Sequence, residues 1–376
     1  MQSAGKPIEN LAEALLSAYP ELSAVRDAAT EPVYVVGGAV RDLLLGRGRA
    51  DLDLVVEGDA LALAARLGAG PVEHERFGTA KVVLDGHELD IAGARTETYA
   101  HPGALPDVAP AAGIEADLGR RDFTINAMAI ALGGGEASLI DPRGGRADLE
   151  SGLLRVLHSR SFADDPTRAI RAARYGARFG FEPEPETAEL LRAADLGTVS
   201  ADRRRAELLR LAAEASAPRG FALLVEWGLL AAREEQGELV ARVAELVAMP
   251  AWAERLAPPD RARAVLAAAL GPAGAERELA AVQPQSPSQA VELARGHDQV
   301  ELVVARALGA EWLDEYVGRW SAVELEIAGA DLIAAGVPQG PALGRGLRAA
   351  LRAKLDGEIE GREQELAAAL AAARSD

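Results

Sequence analysis

The stretch Val33–Val56, VYVVGGAVRDLLLGRGRADLDLVV, constrains the fold more than any other part of this chain. Its two apolar, β-branched ends predict short buried strands, the first of them at Val33–Val36. The segment Ala39–Leu45 between the ends predicts a helix. Gly37 and Gly38 let backbone amides approach a ligand closely, and the start of a helix is a favourable place for an anion. The stretch therefore predicts a strand, a glycine turn, a helix and a second strand around a phosphate site.

Three charged side chains in this stretch favour phosphate chemistry. Arg41 stands in the first turn of the predicted helix, where a cation favours a phosphate more than it favours the helix. Asp51 and Asp53 lie two residues apart on the second predicted strand, so both point to the same side. Two carboxylates beside a phosphate site are what two-metal phosphoryl transfer requires. An Asp-x-Asp pair alone is more often a solvated turn or a helix cap, so the interpretation depends on the whole ordered stretch.

In that order, GGAVRD followed by DLDLV resembles the class II tRNA nucleotidyltransferase and bacterial poly(A) polymerase family. The later segments RRDFTINA, DPRGGRAD, DDPTR and SADRRRAE are similar to further motifs of that family, and together they cover about residues 30–230. The resemblance implies an α/β head with a small mixed or antiparallel sheet, followed by an all-α neck, body and tail. We expect the head at 1–145, a neck for nucleotide-base recognition at 146–220, and a tRNA-binding body and tail at 221–376.

The resemblance also implies an activity, namely template-independent addition of CCA to tRNA 3′ ends from CTP and ATP. Asp51 and Asp53 would hold two Mg²⁺ ions, and the sheet of such an enzyme often presents a third carboxylate. The candidate is Asp90, on the second of two strands predicted at Phe77–Leu84 and His87–Ala92 and joined by an Asp-Gly turn. A solvent-facing strand aspartate is the alternative for Asp90.

The RRDFTINAMAI segment supplies candidates for nucleotide binding. Arg121 can neutralise a triphosphate, and Asp122 can accept a hydrogen bond from a ribose hydroxyl, which would favour NTP over dNTP. An Arg-Arg-Asp run alone would indicate a surface ion cluster, but the apolar stretch that follows it indicates a buried element. Gly37, Gly38 and Arg41 would position the triphosphate.

The segment Asp164-Asp165-Pro166 predicts the start of a helix, on which Asp165 and Arg168 are neighbours three residues apart. Cytosine and adenine both offer an exocyclic amine to Asp165 and an unprotonated ring nitrogen to Arg168. Uracil and guanine would leave both side chains unpaired, at a cost of about 1–3 kcal/mol for each buried polar group. The alternative is an ion pair on a solvated surface. The family motif begins with Glu where this chain has Asp164, which leaves the role of that residue open.

Two further arginines follow at three-residue steps, and in the family they reach nucleotide phosphates. These are Arg171 and Arg174. On an ideal helix, residue 174 lies about half a turn away from residue 165. One straight helix face therefore cannot present all four side chains, so either the ligand wraps around the helix or the helix ends.

The Gly- and Pro-rich span Arg95–Pro110 predicts a mobile loop. It is similar to the flexible loop of the family, much of which is lacking in members that add only cytidines, so its presence is evidence against that variant. Further along, Ser200 or Asp202 would cap a helix that supports the neck.

The net charge of −18 argues against a nucleic-acid partner at first sight. Residues 151–220, however, carry 12 basic and 10 acidic side chains, whereas the segments on either side are acidic. The chain contains no cysteine, which excludes a disulfide framework and a thiolate metal site. We read no signal peptide and no membrane span, so the sequence predicts a cytoplasmic enzyme without an implied protein partner.

Three other functions remain open on the sequence. An enzyme that adds only the terminal A and a poly(A) polymerase share the motifs named above. The alternative of another class is a catalytically silent RNA-binding protein on the same fold, and the presence of both Asp51 and Asp53 counts against it.

Overall fold

The computed structural model describes residues 11–68, 73–74, 78–133, 139–231 and 234–374. Contacts between these residues form two compact units. The first comprises the described residues up to Leu211 together with Leu223–Leu230, and the second comprises Ala212–Ala222 and the described residues from Ala231 onwards. No helix in the described ranges is long and apolar enough to cross a membrane.

The first unit is an α/β domain followed by helices. Its strands are β1 (Val33–Val36), β2 (Leu52–Val56), β3 (Glu73–His74), β4 (Thr79–Leu84), β5 (His87–Gly93), β6 (Arg95–Thr98), β7 (Asp107–Pro110), β8 (Ala129–Ala131), β9 (Leu139–Ile140), β10 (Leu153–Leu154) and β11 (Glu182–Pro183). Its helices are α1 (Leu11–Ala18), α2 (Leu22–Ala28), α3 (Gly38–Leu44), α4 (Ala60–Arg66), α5 (Ile114–Gly119), α6 (Gly145–Ser151), α7 (Ser161–Asp164), α8 (Thr167–Phe179), α9 (Pro185–Arg192) and α10 (Ala201–Ala212), with 3₁₀ turns at Thr124–Asn126 and Leu196–Thr198.

The main sheet is mixed, in the strand order β3-β4-β5-β2-β1-β8-β9. Strand β2 pairs antiparallel with β1 and parallel with β5. This arrangement confirms the predicted fold class, and it places the two strands of the Val33–Val56 stretch at the centre of the sheet.

Alternation along the central strands gives the sheet two buried faces. Val35 and Leu54 contribute to the large core that also contains α1, α2 and α4 residues. Val36 and Val55 point the other way, into a smaller cluster with residues of α5. Because Asp53 is two residues before Val55, its side chain projects on the α5 side of the sheet.

The span Arg95–Pro110 differs from the predicted loop. Its ends pair as strands β6 and β7 of a separate two-stranded antiparallel sheet, in the register Arg95↔Pro110 to Thr98↔Asp107. Except for Pro110, which ends β7, the glycine and prolines of the span lie in the connection between the strands, so composition over the whole span hid the hairpin. The predicted strands at 77–84 and 87–92 are present from Thr79 onwards, and residue 77 lies outside the described residues.

The helix predicted to start at Asp164-Asp165-Pro166 begins directly after this segment, so the prediction that Asp165 lies on its surface is wrong. Helix α7 ends at Asp164, Asp165 is extended (φ −133°, ψ 90°), and α8 begins at Thr167. The residue before a proline is disfavoured in the helical region, so Pro166 forces the break at Asp165. Asp165 therefore lies between two helices and not on a helix surface.

The second unit is helical in its described part. Its helices are α12 (Glu234–Ala248), α13 (Pro250–Ala253), α14 (Pro258–Leu270), α15 (Gly274–Ala281), α16 (Pro287–Ala294), α17 (Gln299–Leu308), α18 (Trp312–Gly318), α19 (Gly329–Ala334), α20 (Pro341–Leu355) and α21 (Gly361–Arg374), with a 3₁₀ turn at Trp320–Ala322. Helix α11 (Ala217–Glu226) is divided between the two units. The three-part division into head, neck and body stays a prediction.

Gly145, at the start of α6, generates a prediction about stability. A Cβ at this position would press into the backbone carbonyl of Thr124 and lie 3.0 Å from the Met128 side chain. Gly145→Ala should therefore destabilise the first unit by about 1–3 kcal/mol, because a packed backbone cannot yield without strain. Gly133→Ala is the control, since a Cβ there meets no atom within 4 Å. Calorimetry should show a lower melting temperature for the first unit in Gly145→Ala and an unchanged one in Gly133→Ala. Equal melting temperatures in the two variants would contradict this packing argument.

Candidate active site

A cavity of about 800 Å³ in the first unit collects almost all of the predicted site residues. The predicted residues in its lining are Gly37, Gly38, Arg41, Asp51, Asp53, Arg121, Asp122, Asp165, Arg168, Arg171 and Arg174. They come from the turn and helix after β1, from the start of β2, from the segment after α5, and from α8 with the break before it. Tertiary folding thus unites three motifs that are up to about 140 residues apart in the sequence.

The glycine turn lies beside the carboxylates in the lining of the cavity. Gly37 has φ 67°, and a Cβ on it would stand 3.0 Å from Nη1 of Arg121 and 3.8 Å from Oδ2 of Asp53. A side chain at position 37 would therefore fill the space between the arginine and the carboxylate. Asp51 directly precedes β2, and Asp53 lies on it.

Burial raises the pKa of Asp53, although its side chain reaches the solvent of the cavity. Arg121 lowers the pKa, while the neighbouring carboxylates of Asp90 and Asp51 raise it again. The net effect is a carboxylate whose charge is not fully compensated by the protein. A cation at this point would stabilise the ionised form.

The donor set suits Mg²⁺, which binds carboxylate oxygen and commonly keeps water and substrate phosphate as its other ligands. In the described ranges no group of three or more His, Asp or Glu side chains is placed to hold a metal by itself. Asp51 and Asp53 fit a metal that takes one or two carboxylates from the protein and the rest from a nucleotide.

Asp90 lies beside this pair and outside the cavity lining. It is the register partner of Asp53 across the parallel strands β2 and β5. Its carboxylate is half exposed and lies 3.4 Å from Nζ of Lys81. The strand register therefore supports a third carboxylate, and the ion pair to Lys81 would have to open for Asp90 to serve as one.

Arg41 is buried and its guanidinium is already engaged. Its Nε donates to Asp42 at 2.8 Å, and its Nη1 donates to Oδ1 of Asn126 at 2.7 Å. The guanidinium carbon lies 4.6 Å from the ring centroid of Phe179 and 5.3 Å from that of Tyr175. The guanidinium of Arg41 is thus held in a fixed position in the cavity lining.

Asp117, which the sequence analysis did not single out, anchors the arginines of the second motif. It is fully buried and accepts hydrogen bonds from Nε of Arg120 at 2.9 Å and from Nη2 of Arg121 at 2.9 Å. Burial alone would raise the pKa of Asp117, but Arg121 and Arg120 hold it below its ordinary value. The signal in the sequence was its i,i+3 and i,i+4 spacing to two arginines on a short helix.

Asp122 and Arg171 connect the second motif with α8. Asp122 is buried, and its Oδ1 accepts from the amide of Phe123 and from Nδ2 of Asn126, both at 2.9 Å. Its Oδ2 lies 3.5 Å from Nη1 of Arg171. Burial would raise the pKa of Asp122, but Arg171 and the hydrogen bond from Asn126 lower it overall. Asp122 is therefore an ionised acceptor within the cavity.

Asp165 is held by arginines from two helices. Its Oδ2 accepts from Nη2 of Arg171 at 2.8 Å, and its Oδ1 accepts from Nη2 of Arg203 at 3.0 Å. Arg203 also donates to the carbonyls of Gly103 and Ala104, at 2.9 and 3.2 Å, in the connection between β6 and β7. The sequence analysis predicted the helix that carries Arg203 as support for the neck and missed this link between the hairpin and Asp165.

Arg168 is buried on the cavity wall and is positioned by two acceptors. Its Nη1 donates to Oγ of Ser161 and its Nη2 to the carbonyl of Arg120, both at 2.8 Å. These bonds use two of its five N–H groups. Arg174 also lines the cavity, although it is about half a turn from residue 165 on an ideal helix, because arginine side chains are long and Asp165 is not part of α8.

The hairpin contributes Glu97 and Tyr99 to the same cavity. Glu97 accepts from Nη1 of Arg120 at 2.7 Å and from the Tyr99 hydroxyl at 2.9 Å. Burial, reinforced by the Glu97 charge, raises the pKa of Tyr99 to about 12. Tyr99 is therefore a neutral donor at physiological pH.

The cavity is cationic although the chain is acidic. Ten arginines and six acidic residues line it, whereas the whole chain carries −18. Excess guanidinium in a concave site favours a polyanionic ligand, and arginine suits bidentate contacts to phosphate.

Two parts of the chain match known families. Residues 33–155 match the poly A polymerase head domain, and residues 180–233 match the family described as a probable RNA and SrmB-binding site of polymerase A. The CC-adding tRNA nucleotidyltransferase of Deinococcus radiodurans is 35% identical over 326 residues, which cover 83% of this chain and 82% of that protein.

Other relatives match over shorter lengths. The A-adding tRNA nucleotidyltransferase of Halalkalibacterium halodurans is 46% identical over 204 residues, covering 51% of this chain and 48% of that protein. The multifunctional CCA protein of Nitrosococcus oceani is 42% identical over 207 residues, covering 53% and 49%. The chain spans about half of these two relatives and 20% of two further A-adding ones.

Solved structures resemble the chain over nearly its whole length. A CCA-adding enzyme in complex with CTP has a TM-score of 0.76 and 28% identity, covering 98% of this chain and 99% of that one. The Thermotoga maritima CCA-adding enzyme in complex with tRNA has a TM-score of 0.74 and 29% identity, covering 96% and 98%. The fold is thus that of a nucleotidyltransferase head with a helical remainder. The chain belongs to the tRNA nucleotidyltransferase and poly(A) polymerase family, which confirms the resemblance.

Replacement of Asp117 tests the arginine anchor. Asp117→Asn should destabilise the first unit by about 3–5 kcal/mol, because it removes the buried counter-charge of Arg121 and leaves Arg120 with Glu97 alone. Asp107→Asn, at an exposed position of β7, is the control.

The effect of Asp117 should also depend on pH. Because the folded pKa of Asp117 lies below the unfolded value, its contribution to the free energy of unfolding is complete above about pH 4 and is lost as the pH falls through the folded pKa. The difference between the urea midpoints of wild type and Asp117→Asn should therefore shrink in acid. A difference that stays constant down to pH 3 would contradict this assignment.

Replacement of Arg203 tests the link to the hairpin. Arg203→Ala removes the donors to Gly103, Ala104 and Asp165, so the β6–β7 connection should exchange its amide hydrogens faster. Hydrogen exchange measured on peptides covering 99–110 checks this, with the neighbouring exposed Arg205→Ala as the control. Equal exchange in both variants would mean that other contacts hold the hairpin.

Proposed function

We propose that this chain adds CCA to the 3′ ends of tRNA, using CTP and ATP without a nucleic-acid template. The observation that carries the proposal is the presence of two functional pairs in one cationic cavity. Asp51 and Asp53 would hold the metal and the phosphates, and Asp165 and Arg168, which line the same cavity, would read the base as acceptor and donor. A nucleoside triphosphate carries phosphates and a base in one molecule, so its binding and selection require both pairs in the same cavity.

Asp51 and Asp53 would hold Mg²⁺, with Asp90 as the proposed third carboxylate. The bound metal would make the primer hydroxyl more acidic and neutralise charge on the phosphates. Gly37 and Gly38 give the triphosphate room beside the backbone, and Arg41, Arg121, Arg171 and Arg174 supply the positive walls. The 3′ oxygen of the RNA forms a bond to the α-phosphorus and loses its proton. The bond from the α-phosphorus to the bridging oxygen breaks, and its electron pair leaves with pyrophosphate.

Base selection follows from the remaining hydrogen-bonding capacity. Oδ2 of Asp165 accepts one hydrogen bond, from Arg171, and so keeps a lone pair for an exocyclic amine. Arg168 keeps N–H groups for a ring nitrogen. Cytosine and adenine match this pair, whereas uracil and guanine leave buried groups unpaired. Asp122 is the proposed acceptor for a ribose hydroxyl.

The relatives are named for three activities, namely CC addition, A addition and CCA addition. The product of this chain therefore has to be argued separately from its family. Structures of CCA-adding enzymes with tRNA, ATP and CTP align over 96–98% of this chain and support CCA addition. CC addition is the second candidate, because the Deinococcus radiodurans enzyme matches over 83% of the chain. The β6–β7 hairpin counts against it, since the resemblance associates that segment with addition of A. A-only addition and poly(A) synthesis use the same cavity.

Primer extension separates these products. Transcripts of tRNA ending at the discriminator base, at C or at CC are each offered CTP, ATP or both with Mg²⁺. Three added nucleotides on the shortest transcript support CCA addition. A stop after CC, extension only of the CC-ended transcript, or long A tracts would replace it with CC addition, A addition or poly(A) synthesis. No incorporation would favour an RNA-binding protein without catalysis.

Replacement of a proposed metal ligand tests the chemistry itself. Asp51→Asn should reduce nucleotide addition by about 10³-fold or more, because the loss of a metal carboxylate removes several kcal/mol of transition-state stabilisation. The exposed Asp27→Asn is the control, and circular dichroism should report an intact fold for both. Full activity of Asp51→Asn would refute the assignment.

A further inference from the structure

Leu105, in the connection between β6 and β7, is an exposed apolar residue in a charged cavity. It is 73% exposed, the highest value among the large apolar residues that the structure describes. Together with the adjoining Pro106 it lines the cavity, where most of the other lining side chains are charged. A single leucine on an open surface needs no explanation. In the lining of a polyanion site, however, a leucine suits the part of a ligand that carries no charge.

The backbone directly before Leu105 is anchored to the rest of the first unit. The amide of Gly103 donates to the carbonyl of Ala163 in α7 at 3.1 Å. The carbonyls of Gly103 and Ala104 accept from Nη1 of Arg203. Gly103 has φ 72°, and a Cβ on it would overlap the backbone of the 3₁₀ turn before α10. Leu105 is therefore exposed on a segment that is already held in place, so a ligand does not have to order its backbone.

Two interactions place this connection beside Asp165 and Arg168, the proposed base-reading pair. Arg203, which holds the two carbonyls, also donates to Oδ1 of Asp165 at 3.0 Å. Tyr99 is the first residue of the connection. Burial and the charge of Glu97 raise the pKa of Tyr99, while Arg168 lowers it and Asp165 raises it further. Since such charge effects weaken with distance, both ends of the connection lie near the pair.

The proposed base site lacks a group that covers the flat face of a base. Asp165 and Arg168 offer hydrogen bonds to the polar edge, whereas the two faces of the ring are apolar. Removal of a face from water is favourable in proportion to the area that is covered. Tyr175 also lines the cavity, but it is only 9% exposed, so its ring is largely covered by protein. Leu105 offers an accessible apolar surface on the hairpin side of the pair.

We propose that Leu105 packs against the flat face of the incoming nucleobase while Asp165 and Arg168 bind its edge. The inference rests on the proposed nucleotidyl transfer and adds a residue that contacts the base without hydrogen bonds. An apolar contact does not distinguish one hydrogen-bonding pattern from another, so Leu105 contributes affinity for any base. It also keeps water from the edge, which increases the penalty for a base that leaves Asp165 and Arg168 unpaired.

Leu105→Ala is the test variant, and a triphosphate without a base is the test ligand. The whole chain with Mg²⁺ and without RNA is titrated by calorimetry with CTP, ATP and ribose 5-triphosphate. Leu105→Ala should raise the dissociation constant for CTP about five- to tenfold, and that for ATP more, because adenine has the larger face. The constant for ribose 5-triphosphate should change by less than twofold, because that ligand offers no base to Leu105.

Two further variants control for side effects of the substitution. Val83→Ala removes an apolar side chain from a residue that is 64% exposed, on β4 and outside the cavity lining, and should leave all three constants unchanged. Leu105→Met keeps most of the apolar area and should bind CTP and ATP as the wild type does.

The possible outcomes separate this inference from the proposed function. Equal affinities of wild type and Leu105→Ala for CTP and ATP overturn the inference, and the proposed function stands if the wild type extends tRNA. An equal loss of affinity for ribose 5-triphosphate also overturns it, because the effect would not depend on the base. A raised Michaelis constant for tRNA with unchanged nucleotide affinity overturns it as well, because Leu105 would then contact the RNA. A base-dependent loss in a chain that extends no tRNA supports the contact and refutes the proposed function.

Discussion

The candidate site depends on the ion pairs of Arg171. Buried carboxylates are tolerated only when they are paired, and Arg171 pairs with the carboxylates of the site. It contacts Asp122 from the segment after α5, Asp165 from the break before α8, and Glu207 from α10 at 3.7 Å. Burial would lower the pKa of Arg171, but these three carboxylates raise it overall. One guanidinium thus joins three segments that the sequence keeps far apart, and it fixes both the proposed ribose acceptor and the proposed base acceptor.

A second layer of the same chemistry surrounds this centre. Asp117 orients Arg120 and Arg121, and Arg203 ties the β6–β7 connection to Asp165. None of these groups needs to touch a substrate for the arrangement to matter. Each holds a charged side chain at a set position, so that binding does not have to order it. The hairpin is tied in this way to the proposed base acceptor, Asp165.

The excess of arginine explains how an acidic chain can bind polyanions. The chain carries a net charge of −18, while the cavity concentrates guanidinium groups in a concave space. Fields are focused in such a space, so the local potential and not the net charge governs the encounter with phosphate. Within this space, Asp51 and Asp53 are the carboxylates proposed to favour a divalent cation.

The sequence by itself determined the central strands, the glycine turn, the helix after it and the motif residues, because periodicity and turn chemistry act over a few residues. It also determined the family, through the order of its motifs. Tertiary structure alone decided that Asp165 sits in a break with two arginine partners, that Asp117 is a buried anchor, that Arg203 reaches the hairpin, and that Asp90 is paired with Lys81. These facts depend on which distant charges are brought together and desolvated. A local pattern carries no information about that, because the cost of a buried charge is set by the partners that the fold supplies.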